Sequence, residues 1–277
     1  LEKERTLEHN ILSNCDKIIF NNPYQKKYML SSCGKEIAKK AVVLPHSFDA
    51  ELYDASIAPR SSDKIQMVYI GHLDATRTPR LFLKGIAALK KEHPDLAEHL
   101  EVLFYGHMAA NDKVYLIDHE LLDVVKIKKP VDYKTSLSIM RNSDWLLHVD
   151  ANLHGILDEN IFFAAKLADY IGANRPIFGM TMFEGAGADV VRAVNGVTVS
   201  YSVDEIKNYL YLIAYENYTV EIDQDGMNQD GADQPVPIPS KIIGLRTTSQ
   251  TQTKVKIEWN ACENAAAYTI YRKQGSG

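Results

Sequence analysis

The sequence predicts an α/β fold: a Rossmann-like parallel sheet with helices on both faces, followed by a small all-β segment. Three observations carry this expectation. Short apolar runs alternate with amphipathic stretches between residues 65 and 217, the pattern of strands buried on both faces and joined by crossover helices. An acidic, Gly-rich and then Pro-rich stretch breaks the chain after Tyr218. Beyond it the apolar residues alternate with period two, the spacing of half-buried strands.

Taken in order, Glu2 to Leu12 carries apolar residues on a helical period, and Lys17-Ile18-Ile19-Phe20-Asn21 is a short β-type run. Pro23 sits where a first helical turn tolerates it, and Gly34 closes that second helix. Ala41-Val42-Val43-Leu44 is another apolar run, ended by Pro45, and residues 47–63 read as a surface connection. The main alternation places strands at Ile65–Ile70, Glu101–Tyr105, Val124–Ile127, Trp145–Val149, Pro176–Phe178 and Val197–Val199. Helical patterns fall between and after them at 79–92, 112–122, 132–142, 160–172, 186–194 and 203–217. Residues 221–240 lack the apolar surface to offset their ordering entropy and read as a linker. Lys254–Trp259 and Ala267–Arg272 then read as strands. The expected organisation is therefore an α/β domain over 1–220 (opening with a crossover segment, 1–35), a linker over 221–240, and a β module over 241–277.

Composition limits the function classes. Of the 277 residues 45 % are hydrophobic and 24 % charged, which excludes wholesale disorder and collagen-like repeats. A formal charge of −5 argues against a general nucleic-acid partner, which needs a basic surface to displace counterions. The sequence has no apolar run of about 18 residues, so no transmembrane helix is expected, and the charged opening Leu1-Glu2-Lys3-Glu4-Arg5 does not read as a signal peptide. Cys15, Cys33 and Cys262 are odd in number and widely spaced, so they read as reduced thiols of a cytoplasmic protein, with no metal site.

Ligands of an open parallel sheet collect at the carboxyl ends of strands, where loops turn into helix N-termini. Four segments qualify. Gly71-His72-Leu73-Asp74-Ala75-Thr76-Arg77 follows the first long strand, with Gly71 allowing close backbone approach and Arg77 offering a bidentate cation for phosphate oxygens. A tight turn with a solvated arginine gives the same letters. Gly106 follows the next strand, where a small residue lets a flat ring approach or simply makes a turn. The 160–172 helix places Lys166 and Asp169 three apart on one face, the spacing of a site or of an ordinary surface ion pair. Gly185 lies in a small-residue loop, Met182–Asp189, that could rest a phosphate or sugar on its N–H groups or serve as a connector. No G-x-G-x-x-G occurs, which disfavours a nicotinamide dehydrogenase.

Together these pieces resemble the C-terminal, nucleotide-sugar-binding half of a GT-B fold glycosyltransferase, most similar to the large retaining family 4 group. The resemblance runs from about Cys15 to Leu210, on Cys15–Asn22, Val43–Asp49, Tyr69–Leu73 with Arg77, and Ala164–Ile177. It implies that Gly71 lies under the donor diphosphate and that Arg77 neutralises charge on the leaving group. His72 stands where many relatives carry a second cation. Of two acids eight residues apart in relatives, Asp169 matches the second; the first falls at Ile161, with Glu159 nearby. The implied donor-binding set is Gly71, His72, Arg77, Gly106, Glu159, Lys166, Asp169 and Gly185, with no metal or cofactor, a nucleotide-diphosphate sugar as substrate, and an unassigned catalytic residue and acceptor. The resemblance also implies an N-terminal GT-B domain as partner. The 241–273 tail resembles the opening of a fibronectin type III module, through Ile257-Glu258-Trp259 and Tyr268-Thr269-Ile270-Tyr271-Arg272, and its open edges could pair with another copy. A non-catalytic scaffold of the same fold and a nucleotide-sugar epimerase are the alternative readings.

Overall fold

The computed structural model describes residues 2–53, 62–74, 76–194, 196–225, 246–250 and 255–258. They fall in two units, residues 1–225 and 226–277. The first unit opens with helix α1 (Glu2–Asn14), strand β1 (Ile18–Phe20), helices α2 (Pro23–Leu30) and α3 (Lys35–Ala38), and strand β2 (Ala41–Val43). β1 and β2 pair in parallel over a small core of Ile18, Phe20, Ile37 and Ala41. Asn22 caps α2, its Oδ1 accepting from the Gln25 N–H at 2.8 Å, which fixes where the chain turns from strand to helix.

A six-stranded, wholly parallel sheet follows. Its elements are β3 (Ile65–Ile70), α4 (Arg80–Glu92), α5 (Pro94–Glu98), β4 (Leu100–Tyr105), α6 (Ala110–Asp118), β5 (Val125–Lys128), α7 (Tyr133–Asn142), β6 (Trp145–Val149), α8 (Lys166–Ala173), β7 (Ile177–Met180), α9 (Ala186–Ala193), β8 (Val197–Val199) and α10 (Val203–Asp225). The strand order is β5-β4-β3-β6-β7-β8. Two cores lie on opposite faces. Met67, Tyr69, Val102 and Phe104 pack under α4 and α10, while Val68, Leu103 and Leu146 pack under α7, α8 and α9. Alternate residues of one strand thus enter different cores, which is why the strand sequences are apolar throughout rather than alternating. The order reverses between β3 and β6, so the crevice at their carboxyl ends is the topological switch point, where such sheets bind ligands.

The strands match the sequence-based expectation to within three residues at either end. Five helical details differ. α2 ends at Leu30, Gly34 standing instead at the start of α3, and α6 ends at Asp118 rather than at 122. α8 starts at Lys166 rather than near Asn160, because the Asn160 backbone is committed elsewhere: its N–H donates to Glu184 O at 3.0 Å and its C=O accepts from the Ala186 N–H at 3.1 Å. The short helices α3 and α5 were not expected. Residues 221–225, placed by composition in the linker, continue α10; Glu-Ile-Asp-Gln-Asp contains no helix breaker before Gly226. Most of the expected linker, 226–240, lies outside the described residues.

In the second unit, β9 (Arg246–Gln250) pairs antiparallel with β10 (Val255–Glu258), with a register shift between Lys256 and Ile257. The expected strand at Ala267–Arg272 lies outside the described residues. Among the described residues no helix is long and apolar enough to cross a membrane.

Candidate functional site at the mouth of the sheet

The floor of the crevice is made of backbone. Gly71, one residue past β3, and Gly106, one past β4, have φ of +140° and +126°, conformations that favour glycine. The ladder continues beyond the strands: Gly71 N–H donates to Tyr105 O at 2.9 Å and Leu73 N–H to His107 O at 3.0 Å. The two turns therefore lie side by side, and a Cβ on Gly106 would clash with the Gly71 carbonyl oxygen and stand 3.0 Å from its carbon. His72 stacks on His107 across the same pair of turns, with ring centroids 4.8 Å apart.

Arg77 is carried on a loop whose shape is set by two carboxylates. Asp74 Oδ1 accepts from the Thr76 hydroxyl at 2.7 Å, the Thr76 N–H at 2.8 Å and the Arg77 N–H at 2.9 Å. These bonds, the Thr76 hydroxyl first, hold the Asp74 carboxyl down to about 2. Asp112, buried in the first turn of α6, accepts from Thr78 Oγ1 at 3.2 Å and from Arg80 Nε at 2.7 Å. Arg80 also lies 4.8 Å over the Tyr115 ring. Replacing Asp112 by alanine strands a partly buried guanidinium and loosens the Arg77 loop. The expected cost is about 2 kcal/mol, read as a lower urea midpoint.

Lys166, the first residue of α8, reaches across the mouth. Its Nζ lies 3.6 Å from the centre of the Tyr69 ring and 3.7 Å from where a Cβ on Gly71 would stand. The side chain is half-buried, with its nitrogen set against the Tyr69 ring. Burial first, then the nearby Arg77 charge, push Lys166 down to about 7, against the pull of Asp150. Asp150 follows β6, and it is buried with His148, whose Nε2 lies 3.6 Å from Asp150 Oδ2.

The remaining expected residues sit around this centre. Lys166 and Asp169 form no pair with each other: Asp169 Oδ1 accepts from Tyr133 OH at 2.8 Å and Tyr53 OH at 3.3 Å. Glu159 is engaged by Lys27 of α2 at 3.1 Å. Ile161 is buried, its carbonyl accepting from Asn22 Nδ2 at 3.0 Å. Gly185, with φ of +152°, lies against Asn160 so closely that a Cβ would come within 2.7 Å of the Asn160 oxygen. The structure thus gathers Gly71, His72, Gly106, Arg77 and Lys166, leaves Asp169 bonded to Tyr53 and Tyr133, and brings Glu159 and Gly185 near each other through the Asn160–Gly185 bridge. Tyr69, Asp112 and Asp150 were not anticipated. Their one sequence signal is position: Tyr69 two residues before the strand-ending glycine, Asp150 directly after a buried strand.

A parallel sheet in this order, with paired glycine turns and cations at its switch point, has the fold of the Rossmann-like half of a GT-B glycosyltransferase. No family model matches the chain. The D-inositol 3-phosphate glycosyltransferase of Paenarthrobacter aurescens (strain TC1) is 23 % identical over 148 residues, covering 50 % of this chain and 36 % of that protein. Among solved structures, TarM aligns with a TM-score of 0.54 at 9 % identity, over 79 % of this chain and 40 % of TarM. WaaG, a glycosyltransferase involved in lipopolysaccharide biosynthesis, aligns with a TM-score of 0.52 at 14 % identity, over 75 % of this chain and 58 % of WaaG. The chain therefore spans between 36 % and 58 % of the length of these proteins.

Proposed function

We propose that this chain is the donor-binding half of a glycosyltransferase that takes a sugar from a nucleoside-diphosphate donor. The observation that carries the reading is the glycine-floored mouth at the switch point, with Lys166 Nζ against Gly71 and the Arg77 charge near enough to act on it. Backbone turns without side chains let a diphosphate approach. As the bond from the sugar to the diphosphate breaks, negative charge grows on the leaving oxygen, and fixed cations beside it lower the barrier. Arg77 supplies the bidentate part of that role. Gly106 opens the floor for the nucleoside. Asp169, held by two phenols, stands ready to accept ribose hydroxyls. No step calls for a metal ion.

The acceptor and the rest of the cleft belong to a partner domain packed on the β1–β2 sheet. Exposed apolar residues there support this: Ile19 of β1 and Leu44, just past β2, are 62 % and 63 % exposed, an apolar face that such a domain would cover. The β9–β10 hairpin is compatible with the opening of a fibronectin type III-like module that mediates self-association.

Titration of the chain with UDP and with GDP by calorimetry tests the reading. One of the two is expected to bind with a one-to-one stoichiometry. Heat from neither, at concentrations up to several millimolar, would leave a scaffold of this fold as the better account.

A further inference from the structure

This inference rests on the donor-site reading and concerns how the same site handles charge. An ammonium has three N–H donors and is strongly hydrated. Lys166 Nζ meets the face of the Tyr69 ring and, among the described residues, no hydrogen-bond acceptor and no carboxylate partner. The titratable and charged groups of the surrounding segments come from three elements besides its own, and of these Tyr69, Arg77 and Asp150 act on it. From β3, Tyr69 is a phenol kept protonated by burial. From the β3–α4 loop come Arg77, of like charge, Asp74, occupied by Thr76 and the Arg77 N–H, and His72, stacked on His107. From the end of β6, Asp150 is the opposing charge. On α8 itself, Asp169 is turned to Tyr53 and Tyr133.

We propose that Lys166 is a proton-coupled anion receptor: a diphosphate draws a proton onto Nζ as it binds. The step forms one N–H bond, with the proton supplied by the buffer, and breaks no bond of the ligand. Its direction follows from the surroundings. Enclosure and the Arg77 charge disfavour the ammonium in the empty site, with Lys166 at about 7. The ligand brings two or more negative charges and reverses the balance. At pH 8 the liganded site then carries more protons than the empty one, so affinity falls as pH rises above 7.

Calorimetry of UDP binding at pH 8, in two buffers of different protonation heat, reads the proton directly; the terminal phosphate is ionised there. GDP replaces UDP if only GDP binds. The expected uptake is about 0.8–0.9 of a proton, with affinity falling about thirty-fold between pH 7 and pH 9. Lys166→Arg, charged throughout, is expected to bind with uptake near zero and a flat profile. Asp150→Asn removes the opposing charge, and the fall in affinity is expected to begin at lower pH. Nucleotide binding by the wild-type chain without proton uptake overturns this inference and leaves the donor reading intact, as does uptake that persists in Lys166→Arg. Absence of binding by either nucleotide at every pH from 6 to 9 overturns both.

Discussion

Replacing Gly106 by alanine is expected to lower the stability of the α/β unit by on the order of 3 kcal/mol and to close the nucleotide site with it. Two effects add. A φ of +126° strains any L side chain, and the new Cβ meets the Gly71 carbonyl, which is backbone and cannot rotate away. Gly71 is itself fixed by its bond to Tyr105 O at 2.9 Å, and Gly106 N–H by Lys128 O at 3.3 Å. Relief requires the tips of β3 and β4 to part, which is the floor of the crevice. The urea midpoint should fall with an unchanged slope, and nucleotide binding should vanish under conditions where the variant is still folded. Gly34→Ala is the control: nothing lies within 4 Å of its added Cβ and its φ is −69°, so the midpoint should stay within about 0.5 kcal/mol of wild type.

Arg77→Ala is expected to weaken nucleoside-diphosphate binding by about ten- to a hundred-fold without changing stability. Charge-assisted hydrogen bonds to an anion contribute roughly 1.5–3 kcal/mol, which gives that range. Stability is spared because the guanidinium is exposed and the loop is held by other groups: Asp74 grips the Arg77 backbone, and Asp112 grips Thr78 and Arg80. Residual binding should also depend less steeply on NaCl, since one cation has been removed. The neighbouring Arg80→Ala should behave in the opposite way, losing stability through Asp112 and Tyr115 while retaining the cation that faces the mouth. The two arginines, three residues apart, are thus separated by experiment into a ligand contact and a strut.

Much of the framework was legible in the sequence for one reason. Strands such as Ile65–Ile70 and Trp145–Val149 are buried on both faces, so burial leaves a continuous apolar run that needs no long-range information. Strand ends were legible too, because Gly71 and Gly106 mark where the backbone must adopt a conformation other residues avoid. What was not legible depends on distant pairings. The start of α8 is delayed by a bridge between Asn160 and Gly185, and no local propensity encodes that bridge. Lys166 and Asp169 share a helix and the spacing of an ion pair, yet each finds a better partner elsewhere: a ring on β3 for one, two phenols for the other. Glu159 shows the same limit, since its neighbour Lys27 is 132 residues away along the chain. Residues 221–225 were misplaced for another reason: acidic residues suit a linker by composition and a helix by propensity, and here they continue α10.

The central claim is that an anionic nucleotide rests on the paired glycine turns beneath Lys166. Backbone amide shifts of the isotopically labelled chain, followed during titration with UDP and GDP, test it most directly. The account predicts saturable shifts concentrated at Gly71, His72, Gly106, Arg77 and Lys166, at one end of the sheet. Shifts confined to the opposite end of the strands, or to the groove between α1 and α2 lined by His9, Tyr28 and Cys33, would contradict it.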